Sequence, residues 1–330
     1  MSSNLTPTPD VATFSATGTA IPDYKLYLRK VKLIVADAAG NGLDLSSFKV
    51  TFEVVSAVVE TPRHAKIRVY NLSDATMRQI QSEFLQVSLS AGYQEGPFGE
   101  IFTGLVTKYS AGKIDTITKF LEIDASDAEL SYNFAVVNTT LAKGTTQADT
   151  LNALVGTLPN TNVGNAPTAI DQSKRYRGQV LYGTTRAHMR TLGINTNAQW
   201  FIQDGTLHLL GPNDLLPGSA VVLNTSSGLI GTPEQTLDGV SARSLLNPLL
   251  VTGRGVQIDS AIVNRTNVLV PLNTNDYLPP VSQNNTYKIY HTVHKGDTRG
   301  NEWETQIICA ALNPAIQQPI TNPSFVVDGL

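Results

Sequence analysis

The stretch from Phe48 to Val54, Phe-Lys-Val-Thr-Phe-Glu-Val, alternates apolar and polar side chains without a break. This period of two is typical of a half-buried β-strand, because successive side chains of a strand point to opposite faces. Upstream, Val31, Leu33 and Val35 follow the same period, and a glycine-containing turn separates the two stretches. The pattern therefore predicts a hairpin-like pair of strands near the start of the chain.

Further strands follow at short intervals. Alternating apolar residues predict strands at 65–69, 87–93, 101–109 and 117–123. Between the first two of these, Ser73 can cap a short helix, because its hydroxyl can accept a bond from a backbone N–H of the first turn. Several short strands with a single interposed helix predict a small antiparallel barrel or sandwich.

The character of the sequence changes after Asn138. Apolar residues between Ala148 and Val155 recur at helical spacing, behind Thr145 as a candidate N-cap. A loop rich in Asn, Thr, Gly and Pro follows, and Thr184 is then the candidate N-cap of a further helix. These features predict a helical connector.

The strand period returns around Asp204 and Gly205. An Asp-Gly pair between two alternating stretches indicates a hairpin, because both central residues of a type I′ turn have positive φ. Later strands are predicted at 221–223, 249–251, 287–293 and 303–309. A second β region therefore follows the connector.

The predicted fold is mainly β with short helices, arranged as two antiparallel β-barrel-like domains joined by the helical connector. A chain of 330 residues exceeds the roughly 100–200 residues of a typical domain, which also favours two cores. The expected divisions are an N-terminal arm at 1–20, a first β domain at 21–137, the connector at 138–195, a second β domain open to insertions at 196–311, and an extended C-terminal tail at 312–330.

Charge is scarce in this chain. Asp, Glu, Lys and Arg make up 15% of the residues, against about 25% in an average domain. A neutral polar surface suits lasting contact with other subunits, since burying an amide or hydroxyl costs less than burying an unpaired charge. The net charge of −3 comes without a block of basic residues, so binding to DNA or to a membrane surface is not expected.

Neither a targeting signal nor an internal disulfide is expected from the sequence. The segment from Met1 to Ala20 lacks the basic start and apolar centre of a signal peptide, and no apolar run reaches the length of a membrane span. The single cysteine, Cys309, allows no internal disulfide, which fits synthesis in a reducing cytoplasm.

Residue types that zinc accepts occur together at His291, His294, Asp297 and Glu302. Residues three apart in a strand point to opposite faces, so the two histidines are not expected to converge. No metal site and no cofactor are therefore predicted. Five residues are instead expected to serve as structural turn residues: Asp204, Gly205, Gly296, Asp297 and Gly300.

Catalysis has weak support in the sequence. Asp124, Asp127 and Glu129 could supply the two acids of glycoside hydrolysis, but acids at a strand end are commonly solvated turn residues. Cys309 lies in an apolar stretch, where a thiol is usually inert. The sequence contains no nucleophile elbow, Walker loop or dinucleotide-binding fingerprint. A non-enzymatic protein with no catalytic residues is therefore expected.

Two other classes of protein remain as alternatives. A carbohydrate-binding tail or surface protein is supported by the neutral surface and by Trp200 and Trp303, either of which could stack on a sugar, although core packing is the more common role for such residues. A cell-wall-degrading tail enzyme would require Asp124, Asp127 and Glu129 to act.

Three stretches together resemble the baseplate hub family of contractile-tailed bacteriophages. The first is the Pro62–Ser73 segment, Pro-Arg-His-Ala-Lys-Ile-Arg-Val-Tyr-Asn-Leu-Ser. The second is the order of elements from Val87 to Ala125, with its Gly-Pro-Phe-Gly turn, and the third is the Gly296–Gly300 turn followed by Trp303.

This resemblance implies a homotrimeric structural collar in which two β-barrel-like domains per chain form a ring of six similar elements. It implies a six-fold tail tube on one side, a trimeric central spike on the other, further baseplate components as neighbours, and DNA passing through the lumen at ejection. The expected location is the virion, after synthesis in the bacterial cytoplasm. Three copies carry 3 × (−3) = −9, and a negative or neutral channel wall would not grip phosphate.

Overall fold

A computed structural model describes residues 25–37, 39–165, 170, 172–265 and 279–312 of the chain. The predicted N-terminal arm at 1–20 and the C-terminal tail from residue 313 lie outside these residues. The first part contains β1 Arg29–Ala36, β2 Gly42–Asp44, β3 Val50–Ala57, β4 His64–Tyr70, α1 Asp74–Glu83, β5 Gln86–Tyr93, β6 Phe98–Lys113 and β7 Lys119–Ser126.

The middle part contains α2 Glu129–Asn133, β8 Val136–Leu141, α3 Gln147–Val155, β9 Asn162–Val163, β10 Gln179–Thr184, α4 Thr185–Thr196, β11 Gln199–Gln203 and β12 Thr206–Leu210. The last part contains β13 Val221–Leu223, β14 Leu229–Thr236, β15 Gly239–Leu245, β16 Gly255–Ile258, β17 Thr286–Asp297 and β18 Trp303–Ala311. The expectation of a mainly β protein with short helices is confirmed. No helix among the described residues is long and apolar enough to cross a membrane.

One large sheet joins the first and the last parts of the described chain. Its strands follow the order β14-β15-β18-β17-β3-β4-β7-β6-β5-β1-β2, with β16 attached to β17 and β13 to β16. The pairings along this path are antiparallel, and β17 pairs with β3 across more than two hundred residues of sequence, as in His294 opposite Val54. The described pairings leave β14 and β2 as the two ends of the path, so no closed barrel is formed by them.

The first core lies under the strands of the first part. The alternation of apolar and polar residues predicted for this stretch is the burial pattern of β3, in which Val50, Phe52 and Val54 are almost fully buried. Their core also includes Ile80 of α1 and Trp303 of β18, so residues from the last part of the chain complete it.

A second core belongs to the middle part, here called the helical lobe and defined as residues 128–210, from the start of α2 to the end of β12. Leu151 and Leu154 of α3 and Met189 of α4 pack with Trp200 and Leu209 of the β11–β12 hairpin. This core therefore extends beyond residue 196 into the hairpin. A third core lies among the last strands, between β15, β16, β17 and β18.

Helix starts agree with the sequence in part. Ser73 caps α1 by accepting a bond from Thr76 N–H at 3.1 Å, as predicted. Thr184 occupies the N-cap position of α4 without a side-chain cap bond. The cap of α3 is Thr146 rather than Thr145, because Thr146 and Asp149 form a reciprocal capping box.

Some predicted strands were wrong. Leu249–Val251 lies in a loop, because the side chain of Asn247 accepts a bond from Leu249 N–H and turns the chain after Pro248. Ile117 belongs to the β6–β7 turn, where the Asp115 carboxylate accepts bonds from the following amides, and β7 begins only at Lys119.

Candidate functional site

The three acidic residues considered for hydrolysis lie in three different environments. Asp124 lies on β7, opposite Lys66 of β4 and Lys108 of β6. Asp127 follows β7 and is buried, whereas Glu129 begins α2. These three carboxyl groups therefore do not form the facing pair that glycoside hydrolysis requires.

Asp127 belongs to a buried charge network that the sequence did not predict. Arg63 Nη2 lies 3.3 Å from Asp127 Oδ2, and the same guanidinium donates to Asp204 Oδ1. The backbone N–H of Asp204 donates to Asp127 Oδ2 at 2.9 Å. Burial raises the pKa of Asp127, and the Arg63 charge offsets part of that rise. Because the Arg63 and Asp127 side chains are each only 7% exposed, each charge depends on the other for compensation.

This network lies where the helical lobe meets the large sheet. Arg63 precedes β4 and Asp127 follows β7, whereas Asp204 lies in the β11–β12 turn of the lobe. A cavity of about 40 Å³ adjoins it. Among the residues that line the cavity are Arg63, Gln203, Asp204, Thr252, Thr292 and His294. The joint between lobe and sheet is therefore polar.

Further contacts cross the same joint. Arg190 of α4 donates to the Glu60 carboxylate at 2.7 Å, and Arg186 donates to the Glu60 carbonyl at 2.8 Å. Thr252 donates to the Gln203 side chain at 3.0 Å. A small apolar core of Val58, Phe201, Leu210 and Leu216 completes the joint. The arrangement has the chemistry of a structural anchor, since Arg63 and Arg190 pair with carboxylates and Arg186 donates to a carbonyl. Among the described residues, Arg63 Nε, Arg186 Nε and Glu60 Oε2 are buried without a hydrogen-bond partner.

Lys288 is a second buried charge that the sequence analysis missed. It lies on β17, is 1% exposed and donates through Nζ to the Gly211 carbonyl at 2.8 Å. Burial lowers the pKa of Lys288 to about 7, and nearby Asp214 opposes this lowering. A lysine between apolar strand residues would be expected at the solvent face. Here the loop that follows β12 contacts it through the Gly211 carbonyl and Asp214, and the Tyr290 ring lies 5.2 Å from Nζ.

The four candidate zinc ligands are spread along the β17–β18 hairpin. His294 is buried, its Nδ1 lies 2.9 Å from Thr305 Oγ1, and burial lowers its pKa to about 3. His291 lies beyond a β-bulge on the other face of β17, and burial lowers its pKa as well. In the described part of the chain, no group of three or more ligand-type residues is placed to hold a metal.

The β17–β18 turn is built around Asp297. Its Oδ1 accepts bonds from Arg299 N–H and Gly300 N–H, both at 2.8 Å. The Arg29 guanidinium donates to the Gly300 carbonyl at 2.6 Å and fixes the turn against β1. Gly296 was predicted in this turn but lies within β17, opposite Trp303. Glycine is required there because a side chain would collide with the rings of Phe52 and Trp303.

Asp204 and Gly205 form the two-residue link between β11 and β12. Their φ values are 51° and 67°, and the flanking residues Gln203 and Thr206 are paired. Positive φ at both central positions is the geometry of the type I′ turn. The Asp204 carboxylate accepts a hydrogen bond from Arg63, so this turn also contributes a residue to the buried charge network.

The remaining candidates lie in cores. Cys309 is fully buried on β18, its Sγ donates to the Val240 carbonyl at 3.2 Å, and burial raises its pKa. Trp200 stacks on Tyr132 with ring centroids 5.1 Å apart. Trp303 meets Phe52 edge to face at 5.6 Å. Neither tryptophan presents an open ring face to a sugar.

An exposed apolar surface lies on the helical lobe. The strands β8 and β10 form a two-stranded ribbon whose inward residues, Val137 and Leu181, enter the second core. Its outward residues include Val136, Val180 and Tyr182, which are 67%, 69% and 76% exposed. Neither strand contains a charged residue. Solvent-facing apolar surface of this kind often marks a contact with another protein.

The chain matches no known family model and no curated protein sequence. Its fold nevertheless occurs in solved structures. A tail protein from Neisseria meningitidis MC58 superposes with a TM-score of 0.56 at 11% identity, over 89% of this chain and 99% of that one. The 43 kDa tail protein of prophage MuSo2 from Shewanella oneidensis superposes with a TM-score of 0.51 at 8% identity, over 86% of this chain and 97% of that one.

A third similar structure is the E. coli c3393 protein, a component of the type VI secretion system described as structurally similar to the bacteriophage T4 tail proteins gp27 and gp5. It superposes with a TM-score of 0.50 at 9% identity, over 83% of this chain and 76% of that one. At such low identities these likenesses concern the fold. The chain therefore has the fold of phage tail proteins, in agreement with the resemblance to baseplate hubs seen in its sequence.

Proposed function

We propose that this protein is a structural hub of a phage-tail baseplate. Three copies form a collar that adapts a six-fold tail tube to a trimeric spike, and the lumen of the collar is part of the channel for genome ejection. In this assembly, regions 21–137 and 196–311 each supply one of the six similar elements of the ring. The protein acts by binding neighbouring subunits in the virion and carries out no reaction.

The observation that carries this proposal is the extent of the structural likeness. The described fold corresponds to 99% of the Neisseria tail protein and to 97% of the prophage MuSo2 tail protein. Both are described as tail proteins, so a role within a tail is the simplest function for a chain that shares their whole architecture.

Features of the chain itself support a load-bearing role. The β17–β3 pairing joins the last strands to the first ones in one sheet, so force applied at either end is shared by backbone hydrogen bonds. The polar joint links the helical lobe to that sheet through the pairs Arg63–Asp204 and Glu60–Arg190. The apolar ribbon face offers surface for another subunit.

The carbohydrate-binding alternative has no comparable support, because Trp200 and Trp303 are both in cores. Mass in solution tests the hub proposal. A trimer has a mass of 3 × 35.5 = 106.5 kDa, and sedimentation should detect it for the purified chain or after addition of tube and spike proteins. A monomer under all of these conditions would contradict the proposal.

A further inference from the structure

Four basic residues lie at the end of the ribbon where β8 ends and β10 begins. Beyond the two strands, Gly144 N–H donates to the Arg175 carbonyl at 2.9 Å, and Arg175 N–H donates to the Thr145 carbonyl at 3.0 Å. The strand pairing itself ends at Leu141 opposite Gln179, so these two bonds link the loop that follows β8 to the loop that precedes β10. We name this end the basic tip, and it comprises Lys143, Lys174, Arg175 and Arg177.

The two backbone bonds hold the loop that contains Lys143 beside the loop that contains Lys174, Arg175 and Arg177. Like charges gathered in this way repel one another, and an anionic partner would relieve the repulsion. Lys143 and Arg177 are both exposed. Within the described part of the chain, no residue of the basic tip forms a salt bridge. The basic tip is therefore suited to an acidic surface supplied from outside the lobe.

Apolar surface adjoins the basic tip. Tyr176 lies within it and is 91% exposed, and the outward residues Val180 and Tyr182 follow along β10. A partner should therefore offer carboxylates beside exposed apolar side chains. Nucleic acid would satisfy the charges but would leave the valines of the ribbon without an apolar partner.

The β2 end of the large sheet has this complementary character. We name it the acidic edge, and it comprises Asp37, Asp44 and Glu83. The backbone bond from Leu85 N–H to the Ala36 carbonyl, at 3.0 Å, holds the end of α1 beside the β1–β2 turn. Leu85 is 57% exposed there. The acidic edge therefore combines carboxylates with an exposed apolar side chain.

The carboxylates of the acidic edge accept hydrogen bonds from residues of their own turn or helix. Glu83 accepts from the Gln79 side chain. Asp37 accepts from the side chain and backbone of Asn41 and from Ala39 N–H, and Asp44 accepts from the side chain and backbone of Ser46. These bonds lower the pKa of both aspartates, and Lys32 adds a smaller lowering at Asp44. Both are ionised at neutral pH. The acidic edge thus faces solvent with its negative charges largely available.

We infer that the basic tip of one copy docks on the acidic edge of a second copy. The inference rests on the proposed hub function and names the surfaces that join its subunits. Net charge favours the same partner: the chain carries −3 in total and the basic tip carries +4, so the rest of the chain carries −3 − 4 = −7. The contact joins two different surfaces and is therefore heterologous. Heterologous contacts can close into a ring, whereas a two-fold dimer uses the same surface on both copies.

Charge reversal tests the inference. Variant K143E/K174E/R177E changes the basic tip from +4 to −2, and variant D37N/D44N/E83K changes the acidic edge from −3 to +1. Asparagine retains an acceptor oxygen for each turn, and lysine suits the end of a helix. A control for the basic-tip variant, K108E/K113E/R265E, makes the same change of −6 in net charge at exposed residues outside both surfaces.

Sedimentation equilibrium should show each surface variant shifted toward monomer by at least tenfold in dissociation constant, while the control stays like the wild type. Combining the two surface variants in one chain should recover much of the lost association, because the charges are then exchanged. If the wild-type protein forms trimers and both surface variants associate as strongly as it does, the inference is overturned. The hub function would not be affected by that result.

A wild-type chain that is monomeric even with tube and spike proteins would overturn both the inference and the hub function. The same variants are to be tested against a duplex DNA oligonucleotide and against anionic lipid vesicles. Binding to either ligand that only the basic-tip variant abolishes, with trimer mass unaffected, would assign the tip to that ligand and overturn the inference.

Discussion

Arg63 Nη2 and Asp127 Oδ2 lie 3.3 Å apart in a site where both side chains are 7% exposed. Removing one member of a buried ion pair leaves the other charge uncompensated, which typically costs about 3–5 kcal/mol. Arg63→Met should therefore lower the free energy of unfolding by about that amount, measured by urea denaturation. Arg190→Met, at the more exposed pair with Glu60, should cost less than about 1 kcal/mol.

A double-mutant cycle adds a second test of this pair. In Arg63→Met with Asp127→Leu, both charges of the buried pair are removed, and the carboxylate that loses its cation is that of the half-exposed Asp204. The loss should therefore be smaller than the sum of the two single losses. Additive losses would mean that the two residues contribute independently.

Lys288 should make stability depend on pH. Its pKa is about 7 in the folded protein and about 10.4 in an unfolded chain. Between these values the unfolded state binds more protons, so the free energy of unfolding should rise with pH, by up to about 2–3 kcal/mol from pH 7 to pH 9. Lys288→Met should lose this dependence, and Lys295→Met on the same strand should keep it. Equal slopes in all three proteins would contradict the burial of a neutral lysine.

Gly205→Val should destabilise the β11–β12 hairpin. The residue has a φ of 67°, a region that β-branched side chains resist. We expect a loss of about 1 kcal/mol or more, seen as a lower melting temperature. Asparagine tolerates positive φ, so Gly205→Asn should lower the melting temperature clearly less than Gly205→Val does. Equal melting temperatures for the valine variant and the wild type would show that the turn is not under this constraint.

His291 and His294 should hold no functional metal. A strand directs these two side chains to opposite faces, so one ion cannot bind both. Elemental analysis should find no stoichiometric zinc or iron, and a strong chelator should leave the melting temperature unchanged. A bound metal whose removal lowers the melting temperature, with His294→Ala reproducing the effect, would contradict this.

Local patterns predicted the elements whose burial alternates with the sequence. Val50, Phe52 and Val54 gave β3 directly, because one face of that strand enters a core. The strand β14 was missed because Gly231 and Pro233 interrupt its apolar pattern, and a register shift occurs at that place. Irregular edge strands carry little periodic signal.

The polar joint could not be predicted from local sequence. Arg63 and Asp204 are 141 residues apart, and no periodicity links them. From the sequence, Arg63 was named only as part of the Pro62–Ser73 segment, and Asp204 only as a turn residue. Their meeting depends on how the helical lobe packs on the sheet, which is a tertiary property.

Imaging of the purified protein tests the central claim most directly. Electron microscopy with image averaging should show a three-fold ring with an open channel, formed by the chain alone or with its tube and spike partners. Such a ring would be the collar of the proposed hub. Single compact particles without a ring or channel, under all of these conditions, would contradict the account.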